Sequence, residues 1–234
     1  GIRDAQESRG LGDVYKRQIS YYRELNEGVK KALGGLHSAK IVLNSVDFEE
    51  IEKLQHADDW EATAEILKKS AKSIEAGGAD FLIICTNTMH IVAPEIEAAI
   101  DIPILHIADA TAQKLVEDGI TKVGLLGTGF TMEKKFYKGR LTEKFDIEVL
   151  VPDEEQRALV HKVIYNELCL GKINDESRAA YLAIINNLRD RGAQAVILGC
   201  TEIAMLVSQE DSNIPLYDTT TIHAIQAVKY ALDD

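Results

Sequence analysis

From residue 19 onward the apolar positions follow two rhythms in turn. Over residues 20–33 the helical spacing of Tyr21, Leu25, Val29 and Ala32 predicts a helix, ended by Gly34-Gly35. Ile41, Val42 and Leu43 predict a strand over residues 40–46, leading to Asp47-Phe48, and a helix follows over about 59–76, stopped by Gly77-Gly78. Phe81-Leu82-Ile83-Ile84 then runs without a polar break into Cys85, the pattern of a strand buried on both faces. Residues 90–99 suit a helix that tolerates Pro94 near its start, 102–107 a short strand, and Asp109 should cap a helix over 110–118. The same alternation continues with strands at 122–128, 147–151, 195–199 and 214–218, and with helices around Phe136-Tyr137 and over 154–169, 176–191 and 220–232. Strands alternating with helices through short loops predict an α/β fold with parallel sheets.

The chain also repeats itself. Residues 77–86 (GGADFLIICT) lie without gaps on residues 192–201 (GAQAVILGCT). Ile102-Pro103-Ile104-Leu105 answers Ile214-Pro215-Leu216-Tyr217, each followed by an aspartate, Asp109 or Asp218, and a helix. Phe136-Tyr137 and the residues after it echo Tyr21-Tyr22. A pseudo-twofold with one cysteine per half turns Cys85 and Cys200 toward a shared cleft, at the carboxyl ends of strands, where open α/β sheets bind ligands. The repeat exposes a gap as well. In the second half a strand precedes the Phe136-Tyr137 helix, whereas residues 1–18 hold only Ile2, Leu11 and Val14 as aliphatics among scattered charges.

Composition narrows the partners. The 234 residues are 46% hydrophobic and 27% charged, enough apolar content for a proper core, and the net charge of −12 repels nucleic acid and anionic membrane surfaces. No apolar run approaches the ~20 residues of a membrane span. Three widely spaced cysteines form neither a disulfide framework nor a CxxC metal site, and fit a reducing cytoplasm.

A thiolate serves as base or nucleophile only when its pKa falls from ~8.5 toward neutral, and a helix N-terminus favours that. Cys85 is followed by Thr86, Asn87 and Thr88, and Cys200 by Thr201 and Glu202, so both cysteines are expected where a strand gives way to a helix start. The donors there can hold a carboxylate. Two thiols on opposite faces of one carbon can remove and return a proton and so invert a chiral Cα, with no metal or cofactor needed in principle. No GxGxxG or Walker loop is present. Cys169 is read as core, His90 and His106 as structural, and His161 and His223 are left open. Glu202 either tunes the Cys200 thiol or complements a helix dipole.

CTNTMH at residues 85–90, GCTEI at 199–203 and GLLGT at 124–128 together resemble the aspartate/glutamate racemases that work without pyridoxal phosphate, closest to their broad-specificity members. The resemblance runs from about residue 19 to the C-terminus. It implies two pseudo-symmetric flavodoxin-like domains with the active site in the cleft between them, here 19–107 with 213–234 and 108–212, and commonly a homodimer. Carried over by position, Cys85 and Cys200 are the acid/base pair; Gln55, Thr86, Asn87, Thr88, Thr128, Lys172, Thr201 and Glu202 bind the amino acid. Asp47 departs from the family pattern and favours neutral over acidic side chains. Family members open with an apolar strand and a glycine-rich loop, so residues 1–18 are expected to be foreign sequence in place of the native start, leaving a poorly folded or inactive chain. Rival readings are a same-superfamily decarboxylase or cis-trans isomerase of a small diacid, and a two-lobed small-molecule binding module without catalysis.

Overall fold

The computed structural model describes residues 14–233. Residues 1–13, most of the stretch expected to be foreign, lie outside the described residues, while Val14 to Gln18 open the first helix instead of belonging to a tail. That helix, α1, spans Val14–Leu33 and is followed by α2 (Phe48–His56), α3 (Trp60–Ala76), β1 (Leu82–Ile83), a 3-10 turn at Thr88–Val92, α4 (Ala93–Glu97) and β2 (Ile104–Leu105). Then come α5 (Ile107–Glu117), β3 (Lys122–Gly127), α6 (Gly129–Glu133), α7 (Lys135–Phe145), β4 (Glu148–Leu150) and α8 (Glu154–Asn166). The chain continues through α9 (Asp175–Asp190), β5 (Ala195–Gly199), α10 (Ile203–Leu206), β6 (Leu216–Asp218) and α11 (Thr219–Leu232).

Two parallel sheets organise these elements, as the α/β reading requires. One has the order β4-β3-β5-β6 and the other pairs β1 with β2. Side chains alternate across the larger sheet with the period of two that a pleated strand imposes. Val123, Leu125, Ala195 and Ile197 pack on α5 and α7, while Leu126, Val196 and Leu198 pack on α8 and α9. Fully burying such a side chain stabilises the fold by roughly 1.5–3 kcal/mol before chain entropy is counted. Glycine appears where two backbones close in: a Cβ on Gly199 would stand 2.8 Å from the Leu126 carbonyl oxygen. The smaller half packs Ala64, Ala71, Leu82, Val92 and Ile96 together.

The two halves exchange helices. Helix α5, which follows the last strand of the first half, packs on α7 of the second; α11, which follows β6, packs on α1 of the first. Residues 219–233 therefore lie against the first half, but Leu216–Asp218, expected there too, is the fourth strand of the larger sheet, because its parallel ladder partner is β5.

Local expectations shifted in four places. The strand expected over 40–46 is extended chain with no ladder partner among the described residues. A strand gains its stability from neighbouring strands, and none of the described strands pairs with this segment, since β1 pairs only with β2. Helix α2 had no sequence expectation, although Asp47 accepts a hydrogen bond from the Glu49 N–H at 3.1 Å and Glu49-Glu50 suit a first turn. Helix α5 starts earlier than expected: its cap is His106, whose Nδ1 accepts from the Ala108 N–H at 3.1 Å, and Asp109 lies inside the first turn. The gapless repeat slips by one residue. Gly78 and Gly192 are the matching left-handed residues after α3 and α9, and the Leu82 and Val196 N–H groups make the matching bonds to Pro103 and Pro215. That register equates Leu82 with Val196, so Cys85, beyond the end of β1, comes one residue sooner after the matched position than Cys200, beyond the end of β5, does.

Candidate active site

The ends of β3 and β5 and the turn after β1 converge on one cleft. It is lined by Gln55, Thr86, Asn87 and Thr88 from the first half and by Thr128, Cys200, Thr201 and Glu202 from the second, with Phe48, Ile164, Tyr165 and Cys169 as its walls. Seven of the eight substrate-binding residues anticipated from sequence therefore meet here, as does one of the two cysteines. Lys172 does not; it is exposed after Gly171, whose left-handed φ of 70° ends the helical turn and carries the chain outward. Cys85 lines the adjoining groove, which shares Phe48 and Thr86 with the cleft.

The Cys200 thiol donates to Glu202 Oε2 at 2.7 Å, and the Thr201 hydroxyl donates to the same oxygen at 2.8 Å. Glu202 is only 1% exposed and is the one charged residue of the cleft lining. Glu202 thus does more than complement a helix dipole: it contacts the thiol directly.

Asn87 adds a second acceptor. The Thr219 hydroxyl donates to the Leu198 carbonyl at 3.0 Å, which leaves its oxygen only lone pairs to offer. Asn87 Nδ2 donates to that oxygen at 3.0 Å, which sets the amide's orientation. Its Oδ1 is then buried with no hydrogen-bond partner in the structure. Such an atom costs about 1–3 kcal/mol, the kind of deficit that a ligand donor removes.

Three hydroxyls join the halves across the cleft: Thr88 Oγ1 lies 3.1 Å from Thr128 Oγ1 and 3.4 Å from Thr131 Oγ1, and the latter two are 3.2 Å apart. Thr131, a link that sequence reading missed, sits three residues after the α6 cap Thr128, and that cap spacing was its available signal. Gln55, 1% exposed, reaches Met89 Sδ at 3.6 Å and accepts from the Tyr165 hydroxyl at 3.4 Å, so it too ties the halves together. Cys169, read as core, packs against the core of the second half and also contributes to the cleft wall.

Behind the first-half turn lies a cluster of buried histidines. His90 Nδ1–H donates to the Thr86 carbonyl at 2.8 Å, and its Nε2 accepts from the Ile107 N–H at 3.3 Å, so the ring holds the residue after Cys85 in place. His223 Nε2–H donates to the Leu105 carbonyl at 2.7 Å and its Nδ1 accepts from the Tyr21 hydroxyl at 2.8 Å. Burial pushes His90 well below the usual imidazole range, His106 down to about 3 and His223 down to about 4. All three are neutral at pH 7 and structural. His161, whose Nδ1 accepts from the Gly129 N–H at 3.0 Å and which stacks beside Tyr165, is structural as well.

Helix-start placement alone does not lower the Cys85 pKa. Only a short 3-10 turn follows it, and burial pushes its thiol up to about 12. Among the described residues no group of three or more His, Cys, Asp or Glu is arranged to hold a metal ion, and no helix is long and apolar enough to cross a membrane.

Comparison with known proteins agrees with the α/β architecture. A protein from Yersinia pestis described as an Asp/Glu racemase superposes with a TM-score of 0.88 at 53% identity, covering 94% of this chain and 96% of that one. An aspartate racemase homologue from Pyrococcus horikoshii OT3 gives a TM-score of 0.80 at 29% identity, over 93% and 95% of the two chains. In sequence, the broad specificity amino-acid racemase RacX of Bacillus subtilis (strain 168) is 26% identical over 160 residues, 68% of this chain and 67% of RacX. The profile of the Asp/Glu/hydantoin racemase family matches residues 18–227. With the cysteine-bearing cleft at the meeting of its halves, this chain belongs to the Asp/Glu/hydantoin racemase family.

Proposed function

We propose that the chain racemises a neutral amino acid without a cofactor, by proton transfer at Cα between Cys200 and Cys85. The observation that carries this reading is the buried, unpartnered Asn87 Oδ1 in the same cleft as the Cys200 thiol and its hydrogen-bonded Glu202. An α-ammonium would satisfy the Asn87 Oδ1 acceptor. The hydroxyls of Thr86, Thr88, Thr128 and Thr201 would hold the α-carboxylate. A side-chain carboxylate would face Phe48, Ile164 and Tyr165 with nothing basic to pair with, at a cost of several kcal/mol, which favours neutral side chains over aspartate or glutamate.

The protons balance as follows. Glu202 takes the Cys200 thiol proton through the existing hydrogen bond, and the thiolate removes the Cα proton. Cys85, kept protonated by burial, gives its proton to the opposite face once its side chain turns past Thr86 into the cleft. The Cys85 thiolate then regains a proton from solvent, and Glu202 releases the one it took. Enantiopure neutral and acidic amino acids incubated in D2O test this directly. Deuterium should enter Cα of neutral substrates and optical rotation should decay, with both lost in Cys85→Ala and in Cys200→Ala. Either variant racemising at the parent rate overturns the two-thiol mechanism; a preference for aspartate or glutamate overturns the substrate class.

A further inference from the structure

Thr128 carries one of the hydroxyls proposed to hold the substrate carboxylate, and it stands between Gly127 and Gly129. Glycine leaves the backbone on either side free to turn, so the local sequence does not fix where that hydroxyl points. Its place at the cleft must be set by contacts. One of them is internal to α6: Thr128 Oγ1 accepts from the Thr131 N–H at 3.3 Å, as an N-cap does.

The other comes from α8. The Gly129 N–H, the first of α6, has no acceptor within its own helix, and it shares a rigid peptide plane with the Thr128 carbonyl. Whatever holds this N–H therefore sets the backbone turn at Thr128. His161 holds it: Nδ1 accepts from the Gly129 N–H at 3.0 Å, which leaves the ring proton on Nε2. The contact is flush, since a Cβ on Gly129 would stand 3.3 Å from Nδ1. The imidazole is itself steadied by rings, with centroids 4.8 Å from Tyr165 and 6.2 Å from Phe130. The far end of α6 leans on the first half, where Phe130 meets the Trp60 ring at 5.5 Å and Lys134 Nζ reaches the Asp58 carboxylate at 2.8 Å. Helix α6 is thus fastened to the first half at its end and to α8 at its start, and the start is where Thr128 Oγ1 lies 3.1 Å from Thr88 Oγ1. We infer that His161 is a positioning residue for substrate binding: through the Gly129 N–H it fixes the turn that holds the Thr128 hydroxyl at the cleft, while standing behind the cleft lining itself. The step from Thr128 to a carboxylate rests on the proposed racemisation; the step from His161 to Thr128 rests on the geometry alone.

Two substitutions separate the acceptor from the ring. His161→Phe keeps a ring beside Tyr165 and deletes the acceptor, whereas His161→Asn keeps an acceptor at the same reach from the backbone and deletes most of the ring. Hydrogen exchange at the Gly129 amide, read against β5 as the reference for global opening, should speed up about tenfold or more in His161→Phe and stay near the parent rate in His161→Asn. In steady-state kinetics on a neutral amino acid, His161→Phe should raise KM about tenfold with kcat within about threefold, the pattern of lost uniform binding, and His161→Asn should restore KM. Thr128→Val should raise KM as well, and adding His161→Phe to it should change little, because both remove one contact. The inference is overturned if Gly129 exchange is unchanged in His161→Phe, if His161→Asn behaves like His161→Phe, or if the two effects on KM multiply in the double variant. A parent chain that turns over no amino acid would overturn the proposed function, and Gly129 exchange with its rescue by asparagine would then decide the role of His161 alone.

Discussion

Acid should destabilise this protein steeply, and the buried histidines set how steeply. His90, His106 and His223 are neutral in the folded state because burial disfavours their cations. Each has its folded pKa depressed below the ~6.5 of the unfolded chain, so the unfolded state binds the extra protons and stability falls as pH falls through that value. Between pH 7 and pH 5 each histidine forfeits about 2 kcal/mol, a figure set mainly by the unfolded pKa while the folded one stays well below 5. Three together forfeit roughly 6 kcal/mol, comparable with the whole 5–15 kcal/mol of a typical domain. Burial pushes the Asp218 carboxyl above its ordinary value, which acts in the opposite sense. Urea titrations at pH 7, 6, 5.5 and 5 should show the unfolding free energy dropping by about 4–6 kcal/mol. His223→Gln removes one contribution, so its own drop over the same range should be smaller by about 2 kcal/mol, whatever the substitution does to stability at pH 7. A parent drop under 2 kcal/mol, or an unchanged drop in the variant, would refute the assignment of these rings as buried neutral groups.

Other substitutions probe the cleft and the sheet. Gly199→Ala sets a methyl 2.8 Å from the Leu126 carbonyl, so β3 and β5 must part; a loss of about 1–3 kcal/mol is expected in urea melts, along with weaker racemisation through the displaced Cys200. Asn87→Ala removes an acceptor proposed for the α-ammonium and should lower kcat/KM by about ten- to a hundredfold while leaving the melting temperature within a few degrees, as steady-state kinetics and calorimetry would show together. Tyr181→Phe deletes a buried hydroxyl that donates to the Val160 carbonyl at 2.9 Å, and should cost about 1–2 kcal/mol without changing KM. Glu202→Gln leaves the thiol without its proton acceptor; the rate of Cα deuterium exchange should fall at least a hundredfold at pH 7, with the thiol still reactive to alkylation at alkaline pH.

Much of this molecule is legible along the chain because its second half is built from local rules. The apolar run at 195–199 ends in a tight glycine and a cysteine, and the helices on either side show 3.6-residue spacing and acidic or Asx caps. Those signals act within a few residues, so periodicity and turn chemistry suffice to place the elements, and the repeat of GADFLIICT in GAQAVILGCT was enough to pair the halves. The residues gathered at the cleft, from Gln55 to Glu202, follow from that pairing, since strand ends and their caps meet wherever two such sheets face each other.

Tertiary structure decided what depends on neighbours distant in sequence. Residues 40–46 have every local mark of a strand and are not one, because ladder bonds come from a partner and none of the described strands lies beside them. The match of Cys85 to Cys200 is gapless in letters and one residue off in register, because hydrogen-bond register belongs to the strand pair and not to the letters. Lys172 stands where the resemblance places a substrate-binding lysine, yet the left-handed Gly171 sends it to solvent. Sequence by itself determined the fold class and named most of the residues that line the cleft, since those rest on local periodicity and caps. Only the packed structure determined that one thiol meets Glu202 while the other borders an open groove, because both facts rest on which backbone edges found partners.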